Sequence, residues 1–409
     1  MTSEQKIHPA VLNAPQGFFG LGIAPGLLAC IEQMRFAAPT PIQASAIPPA
    51  LEGKDLIGVA QTGTGKTLAF AVPMLQRLAQ GPGMGLVLVP TRELALQVEE
   101  TFRRFRHAAK MESTVLIGGA SMHLQRDALK RRPRIIVATP GRLLDHLEQR
   151  TVSLREVRVL VLDEADRMLD MGFAPQIERI LTAVPKERQT MLFSATMPET
   201  IVQMASQHMR LPVRTEIVPS GTAAEKVAQE LYIVEKEHKN ALLEKLLERH
   251  TGTVLVFTRT KRGAGRTTRA ICAMGHRAAE IHSDRSLGQR REALEGFKSG
   301  RYRVLVATDI ASRGIDVKGI ELVINYDLPD ETGNYVHRIG RTGRAGHAGL
   351  AISLATPEQG ADVRLIEKMI RSSIPVSRHP DIPEKKFVPA APFSGRRSFT
   401  YRGQRPRWR

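Results

Sequence analysis

Short apolar runs, each followed by a stretch with helical periodicity, recur along two parts of this chain. A strand buried on both faces is a continuous apolar run, and helices cover both faces of a parallel sheet. The pattern therefore predicts the α/β fold class, with two tandem, mostly parallel sheets covered by helices. The predicted strands are residues 56–60, 86–89, 114–117, 135–138, 157–162 and 190–193, then 231–234, 254–257, 278–281, 304–307, 322–325 and 351–354.

The length of 409 residues also favours two domains, because a single core seldom serves more than about 250–300 residues. Residues 211–225 contain Pro212, Pro219, Ser220 and Gly221 without clear periodicity, so we place the linker there. The predicted units are an N-terminal extension (1–17), domain 1 (18–210), the linker (211–225), domain 2 (226–375) and a basic disordered tail (376–409).

Cysteine usage and hydropathy bear on the compartment. Cys30 and Cys272 lie far apart and form neither a metal-ligand cluster nor a disulfide framework, which suits a reducing environment. No apolar stretch is long enough to cross a bilayer, and the first residues lack the pattern of a signal peptide. We expect a cytoplasmic protein without a membrane partner.

The formal net charge of +18 favours a polyanionic partner. Residues 385–409 contain basic residues and no acidic ones, interleaved with Phe393, Phe399, Tyr401 and Trp408. Arginines with scattered aromatic side chains can bind phosphates and stack on bases. We expect this disordered tail to add affinity for nucleic acid, the alternative being a solvated tail that only aids solubility.

Residues 60–67, AQTGTGKT, predict a phosphate-binding loop. Gly63 and Gly65 let the backbone N–H groups approach phosphates, Lys66 adds a positive charge, and Thr67 supplies a hydroxyl to a metal ion. The usual pattern begins with glycine, whereas this chain has Ala60. The alternative is an ordinary loop before an apolar helix at 68–78.

The predicted strand 157–162 ends in Asp-Glu-Ala-Asp at 163–166. Open α/β sheets bind ligands at the carboxyl edge of their strands, and two adjacent carboxylates there favour a divalent cation. Together with the glycine-rich loop, this pattern indicates Mg²⁺ bound with a nucleoside triphosphate.

The latter half contains HRIGRTGR at 337–344. On a helix, Arg338, Arg341 and Arg344 would lie along one face. An arginine supplied from outside the phosphate loop can stabilise the charge that develops during phosphoryl transfer. The alternative is a helix that pairs its arginines with surface acids.

Further strings follow in a fixed order, and with them the chain resembles the DEAD-box RNA helicases from about residue 18 to residue 354. The strings are FAAPTPIQ (36–43), PTRELA (90–95), Gly118-Gly119, TPGR (139–142), SAT (194–196), VFTRTK (256–261) and ATDIASRGID (307–316). PTPIQ and the short basic tail are most similar to the bacterial RhlE-type branch. The resemblance implies two RecA-like domains with a nucleotide cleft between them.

The resemblance also implies ATP and Mg²⁺ as cofactors and assigns roles to residues. Gln43 would contact the adenine, on which Phe18 or its neighbour Phe19 would stack, although Phe18 also fits a core position. The implied nucleotide-binding residues are Phe18, Gln43, Gln61, Thr62, Gly63, Thr64, Gly65, Lys66, Thr67 and Asp316, and the implied metal-binding residues are Thr67 and Asp163. The implied catalytic residues are Lys66, Glu164, Arg341 and Arg344, and the implied coupling residues are Asp166, Ser194, Thr196 and His337.

RNA is the partner that the resemblance implies, contacted mainly through its backbone and therefore with little sequence specificity. The implied RNA-binding residues are Thr91, Arg92, Gly119, Thr139, Gly141, Arg142, Arg290, Thr308 and Asp309. The family often has glutamine three residues before Arg290, where this chain has Leu287. Further implied partners act in RNA processing or ribosome assembly.

The function implied is ATP-dependent closure of two domains on RNA, which separates short duplexes locally, remodels RNA or RNA–protein complexes, and requires RNA-stimulated ATP hydrolysis. Two alternatives remain. A DNA-translocating motor would use the same nucleotide site, and a non-unwinding RNA clamp or annealing factor would use ATP only to control how long it stays bound.

Overall fold

The computed structural model describes residues 17–61, 63–217, 227–309, 319–343 and 349–388. Within them the chain forms two sheets, and all of the described strand pairs are parallel. The predicted strand positions are confirmed to within a few residues, because most of these runs are buried on both faces.

The sheet of domain 1 has the strand order β3-β4-β2-β5-β6-β1-β7. Its strands are β1 (Leu56–Val59), β2 (Met84–Leu88), β3 (Ser113–Leu116), β4 (Ile135–Ala138), β5 (Val157–Leu162), β6 (Gln189–Ser194) and β7 (Val213–Glu216). The sheet of domain 2 has the order β10-β11-β9-β12-β13-β8. Its strands are β8 (Val227–Ile233), β9 (Val254–Phe257), β10 (Ala278–Ile281), β11 (Val304–Ala307), β12 (Leu322–Asn325) and β13 (Gly349–Ala355).

Helices connect successive strands, as parallel pairing requires. In domain 1 they are α1 (Pro25–Gln33), α2 (Pro41–Leu51), α3 (Lys66–Ala79), α4 (Arg92–Arg104), α5 (Arg106–Ala109), α6 (Met122–Lys130), α7 (Pro140–Glu148), α8 (Ala165–Asp170), α9 (Ala174–Ala183) and α10 (Glu199–His208). In domain 2 the described helices are α11 (Lys239–Arg249), α12 (Lys261–Ala273), α13 (Leu287–Lys298), α14 (Gly333–Ile339) and α15 (Gly360–Ile370).

Each sheet carries apolar packing on both faces. Val87 packs in one cluster, whereas its neighbours Leu86 and Leu88 pack in another. In domain 2, Leu255 is likewise separated from Val254 and Val256. The alternation of side chains along a strand explains this division, and it confirms helices on both faces.

Two predicted boundaries differ from the structure. The sequence predicts a linker at 211–225, but β7 pairs with β1, so domain 1 extends beyond residue 210. It predicts a tail at 376–409, but Ile382 and Phe387 pack against domain 2, and Val388 N–H donates to Pro357 O over 2.9 Å. Their apolar side chains hold this part of the segment, while residues 389–409 lie outside the described residues.

Candidate active site between two domains

The glycine-rich loop places a positive charge at the start of α3. Gly63 and Gly65 both have φ near +90°, a conformation that side chains disfavour. Buried Lys66 begins α3, and its Nζ donates to Ala60 O over 3.0 Å. Ala60 itself lies outside the left-handed region, which explains why glycine is not required there. Backbone N–H groups and the helix dipole make such a helix start suitable for phosphate binding.

The two carboxylates after β5 lie beside this loop. One cavity of about 380 Å³, here called the nucleotide cavity, is lined by Lys66, Thr67, Asp163 and Glu164. Burial raises the pKa of Asp163 to about 6, although nearby Lys66 opposes the shift. Glu164 adopts left-handed backbone angles (φ 52°, ψ 50°), a conformation that costs free energy in a non-glycine residue. The sharp turn holds both carboxylates at the edge of the sheet.

Asp166 connects the acidic segment to the end of β6. Its Oδ2 accepts from the Ala195 N–H at 3.1 Å, the Thr196 N–H at 2.9 Å and the Thr196 hydroxyl at 2.8 Å. The Ser194 hydroxyl accepts from the Asp166 N–H at 3.3 Å. The structure thus brings together the predicted coupling residues of domain 1.

Gln43, which is predicted to contact the adenine, lines the nucleotide cavity and also contacts the phosphate loop. Gln43 Nε2 donates to Gly65 O over 3.0 Å, and its Oε1 accepts from the Thr40 N–H over 2.9 Å. Its amide therefore holds the phosphate loop in this structure. Phe18 is 5 % exposed and packs in the core, which favours the core interpretation over stacking on adenine. Phe36, which sequence reasoning missed, is 43 % exposed and lines the nucleotide cavity.

A second cavity, of about 490 Å³, lies between the domains. Gln61 of the phosphate loop and Thr196 of domain 1 line it, as do His337 and Arg341 of domain 2. Arg341 is 3 % exposed. The structure therefore places a predicted catalytic arginine and a predicted coupling histidine opposite the glycine-rich loop.

The prediction that the arginines of HRIGRTGR lie along one face of a helix is wrong. Helix α14 ends at Ile339, and Arg341 follows it in a turn. Arg338 is 1 % exposed, and its guanidinium donates to both carboxylate oxygens of Asp309, at 2.5 and 2.7 Å. It also lies over the ring of Phe257. Asp309, which is predicted to contact RNA, pairs with this buried arginine inside domain 2, and its contact with RNA stays a prediction.

Several predicted RNA-binding residues of domain 1 meet at the loop after β3. A side chain at Gly119 would collide with the guanidinium of Arg92, and Arg142 Nη1 donates to Ala120 O over 3.0 Å. Gly141 is exposed with open space around it. Thr139 is the residue before α7, whereas the hydroxyl of Thr91 caps α4 by accepting from Leu94 N–H.

Other predicted site residues lie apart from this loop or outside the described residues. Arg290 of domain 2 forms an ion pair with Glu93 of domain 1, with Nη2 and Oε2 at 2.7 Å. Thr308 is half-buried directly after β11. Thr64 bonds within the phosphate loop, its hydroxyl donating to Gln61 O over 2.7 Å. Thr62, Asp316 and Arg344 lie outside the described residues.

Family models match both halves of the chain. The model for the DEAD/DEAH box helicase matches residues 40–204, and the model for the helicase conserved C-terminal domain matches residues 238–346. An ATP-dependent rRNA helicase, RRP3 of Candida albicans, is 44 % identical over 377 residues, which covers 91 % of this chain and 70 % of the relative.

Solved structures agree. Dbp5 of S. cerevisiae bound to RNA and ADP BeF3 has a TM-score of 0.79 and 31 % identity, covering 89 % of this chain and 95 % of that one. Mss116p bound to ssRNA and AMP-PNP has a TM-score of 0.81 and 28 % identity, covering 88 % and 78 %. The two sheets are thus tandem RecA-like domains.

Two RecA-like domains with a cleft lined from both sides are the architecture of a helicase-type nucleotide-hydrolysing enzyme. The chain belongs to the DEAD-box helicase family. It is an ATP-dependent RNA helicase, an enzyme whose ATP hydrolysis depends on RNA. The relatives named above do not support the finer placement in the bacterial RhlE-type branch. No helix among the described residues has the length and apolar character needed to cross a membrane.

Proposed function

We propose that the chain separates short RNA duplexes by closing its two domains on one strand together with ATP. The observation that supports this proposal best is the shared cavity, which Gln61 of domain 1 and Arg341 of domain 2 line from opposite sides. Neither domain alone supplies both the phosphate loop and the arginine. Hydrolysis then requires closure, and both ligands stabilise the closed arrangement.

Each of the predicted site residues would have a separate role in ATP hydrolysis. Lys66 binds the β and γ phosphates, and Glu164 orients the attacking water and accepts its proton. Arg341 stabilises the charge that develops on the transferred phosphoryl group, joined by Arg344. The presence or absence of the γ phosphate would be transmitted between the domains by Asp166, Ser194, Thr196 and His337. Phe36 offers an aromatic face for the adenine, and Asp316 binds the ribose.

Magnesium fits this site. The Asp163 carboxylate and the Thr67 hydroxyl line the same cavity and are the oxygen ligands that Mg²⁺ prefers. Mg²⁺ usually keeps several waters and binds one or two carboxylates together with phosphate oxygens of the substrate. The bound ion would neutralise phosphate charge, and we infer that Thr67 and Asp163 hold it.

RNA would follow a path along Arg92, Gly119 and Arg142 in domain 1 and continue to domain 2. The two basic side chains converge on one loop, which supports a backbone-binding surface. The similarity to rRNA helicases supports ribosomal RNA as a substrate and ribosome-assembly factors as partners. Cytoplasmic location and the RhlE-type branch stay predictions from the sequence, and so does added RNA affinity from the tail.

Strand separation is the direct test. We expect ATP-dependent separation of short RNA duplexes, little separation of long ones, and greater ATPase stimulation by RNA than by DNA of the same sequence. Equal stimulation by DNA would favour the DNA-motor alternative. Annealing without any ATP-dependent separation would favour the RNA-clamp alternative.

A further inference from the structure

Helices α4 of domain 1 and α13 of domain 2 face each other across the domain boundary. They enclose a cavity of about 370 Å³ that Leu96 and Glu99 line from α4 and Leu287 and Leu294 line from α13. Most of the other lining residues are charged, among them Glu295. The cavity thus combines three leucines with charged side chains from both domains.

Leu287 is the first residue of α13, directly after the capping residue Ser286. Although it belongs to domain 2, its half-buried side chain packs against the apolar cluster of domain 1. Leu96 packs against the same cluster from α4. The cap fixes where α13 begins, and thereby directs Leu287 towards the other domain.

The ion pair between Arg290 and Glu93 lies one helical turn further along α13. Three-residue spacing puts Leu287 and Arg290 on one face of the helix. Arg290 is 7 % exposed and Glu93 is 6 % exposed. Leu287 and Glu93 line the same cavity, so the leucine lies near this buried pair.

We propose that Leu287 is a positioning residue that stabilises the closed arrangement of the two domains through its apolar contact with domain 1. The contact is buried only when the domains meet, so leucine favours closure, whereas a glutamine would bring an amide that needs hydrogen-bond partners. The inference rests on the closure mechanism proposed above. It gives a function to the position where this chain departs from the family's common glutamine.

The test compares Leu287→Gln with Leu287→Met, which keeps an apolar side chain of similar volume. Leu124→Gln is the matched control, because Leu124 of domain 1 is 70 % exposed. Small-angle X-ray scattering of the full chain measures the closed fraction without ligands and with ADP–beryllium fluoride and Mg²⁺, each with and without a short oligouridylate. RNA titrations of ATPase activity give the half-saturating RNA concentration and kcat separately.

Leu287→Gln should lower the closed fraction without RNA and raise the half-saturating RNA concentration about fivefold, the effect of losing roughly half of a leucine's burial. Its kcat at saturating RNA should stay within about twofold, since closure is then complete. Leu287→Met and Leu124→Gln should match the wild type. The leucine in the interface, not the fold of α13, would then account for the change.

Unchanged closed fraction and half-saturating RNA concentration in Leu287→Gln would overturn the role of Leu287. A loss of kcat in Leu287→Gln with an unchanged half-saturating RNA concentration would also overturn this role. A wild-type chain that stays extended with both ligands would instead overturn the closure mechanism itself. The two failures are therefore distinguishable.

Discussion

Asp166 and Thr196 are joined by two hydrogen bonds, one from the threonine N–H at 2.9 Å and one from its hydroxyl at 2.8 Å. Thr196 also lines the cavity that His337 and Arg341 reach from domain 2. The acidic segment after β5 is thereby connected, through one threonine, to the surface that faces the other domain.

Replacing Thr196 with valine should uncouple ATP hydrolysis from strand separation. Valine keeps the branched shape but removes the hydroxyl that donates to Asp166, a bond worth roughly 1.5–3 kcal/mol for a charged acceptor. We expect strand separation to fall on the order of tenfold, corresponding to about 1.4 kcal/mol, with a smaller fall in ATPase activity. Thr196→Ser, which keeps the hydroxyl, is the control. Equal losses of both activities in Thr196→Val would contradict a coupling role.

Glu164→Gln should bind ATP and RNA but hydrolyse ATP very slowly. Removing a general base costs typically ~10²–10⁴ in rate, while the neutral amide fits the same space. Steady-state ATPase assays and RNA-binding titrations measure the two properties. The control is Glu148→Gln, at a carboxylate whose side chain is 61 % exposed. Near-normal turnover in Glu164→Gln would remove Glu164 from this role.

Arg341→Lys should lower RNA-stimulated turnover on the order of 10³-fold or more, as expected when an arginine that stabilises phosphoryl transfer is removed. Lysine keeps the positive charge but lacks the planar pair of donors. Nucleotide binding should change little, because the phosphate loop is intact. Arg378→Lys, at a side chain 72 % exposed, is the control. Turnover within a few-fold of the wild type would exclude Arg341 from the reaction.

Arg338→Met should destabilise domain 2 by about 3 kcal/mol or more, the usual consequence of leaving one partner of a buried ion pair. Besides the Asp309 pair, Arg338 Nη1 donates to Asn325 Oδ1 over 3.2 Å and to Asp327 O over 2.5 Å. Urea unfolding measures the free energy of unfolding, with Arg364→Met on an exposed face as the control. A change below about 1 kcal/mol would show that this network contributes little.

Deleting residues 389–409 should weaken RNA binding and reduce its dependence on salt. Each RNA phosphate that the shortened chain no longer neutralises should lower the salt slope by about 0.7 for a single strand. The deletion begins after Val388 because residues up to that point pack against domain 2. ATP hydrolysis at saturating RNA should continue. An unchanged salt slope would show that the tail does not bind RNA.

The strands were predictable because buried parallel strands are short, continuous apolar runs. The exception is β7, where Val213 and Thr215 alternate with exposed Arg214 and Glu216 directly after Pro212. Edge strands carry charged side chains, so their sequences resemble those of linkers. The predicted hinge therefore begins too early along the chain.

The site was predictable at its loop and carboxylates, where residue spacing sets the geometry. It was less predictable in HRIGRTGR, because Arg338 and Arg341 follow the same spacing but face different partners. The partner of Arg338 is Asp309, which lies in a distant part of the chain. Likewise, no local pattern indicates that Glu93 pairs with Arg290 or that Gln43 holds the phosphate loop.

A crystal structure with ADP–beryllium fluoride, Mg²⁺ and oligouridylate would show whether the two domains share one reaction site. We expect the Arg341 guanidinium to lie within hydrogen-bond distance of the beryllium fluoride, with Lys66 approaching it from domain 1. An RNA-bound and nucleotide-bound structure in which Arg341 stays remote from that group would contradict a reaction site shared between the two domains.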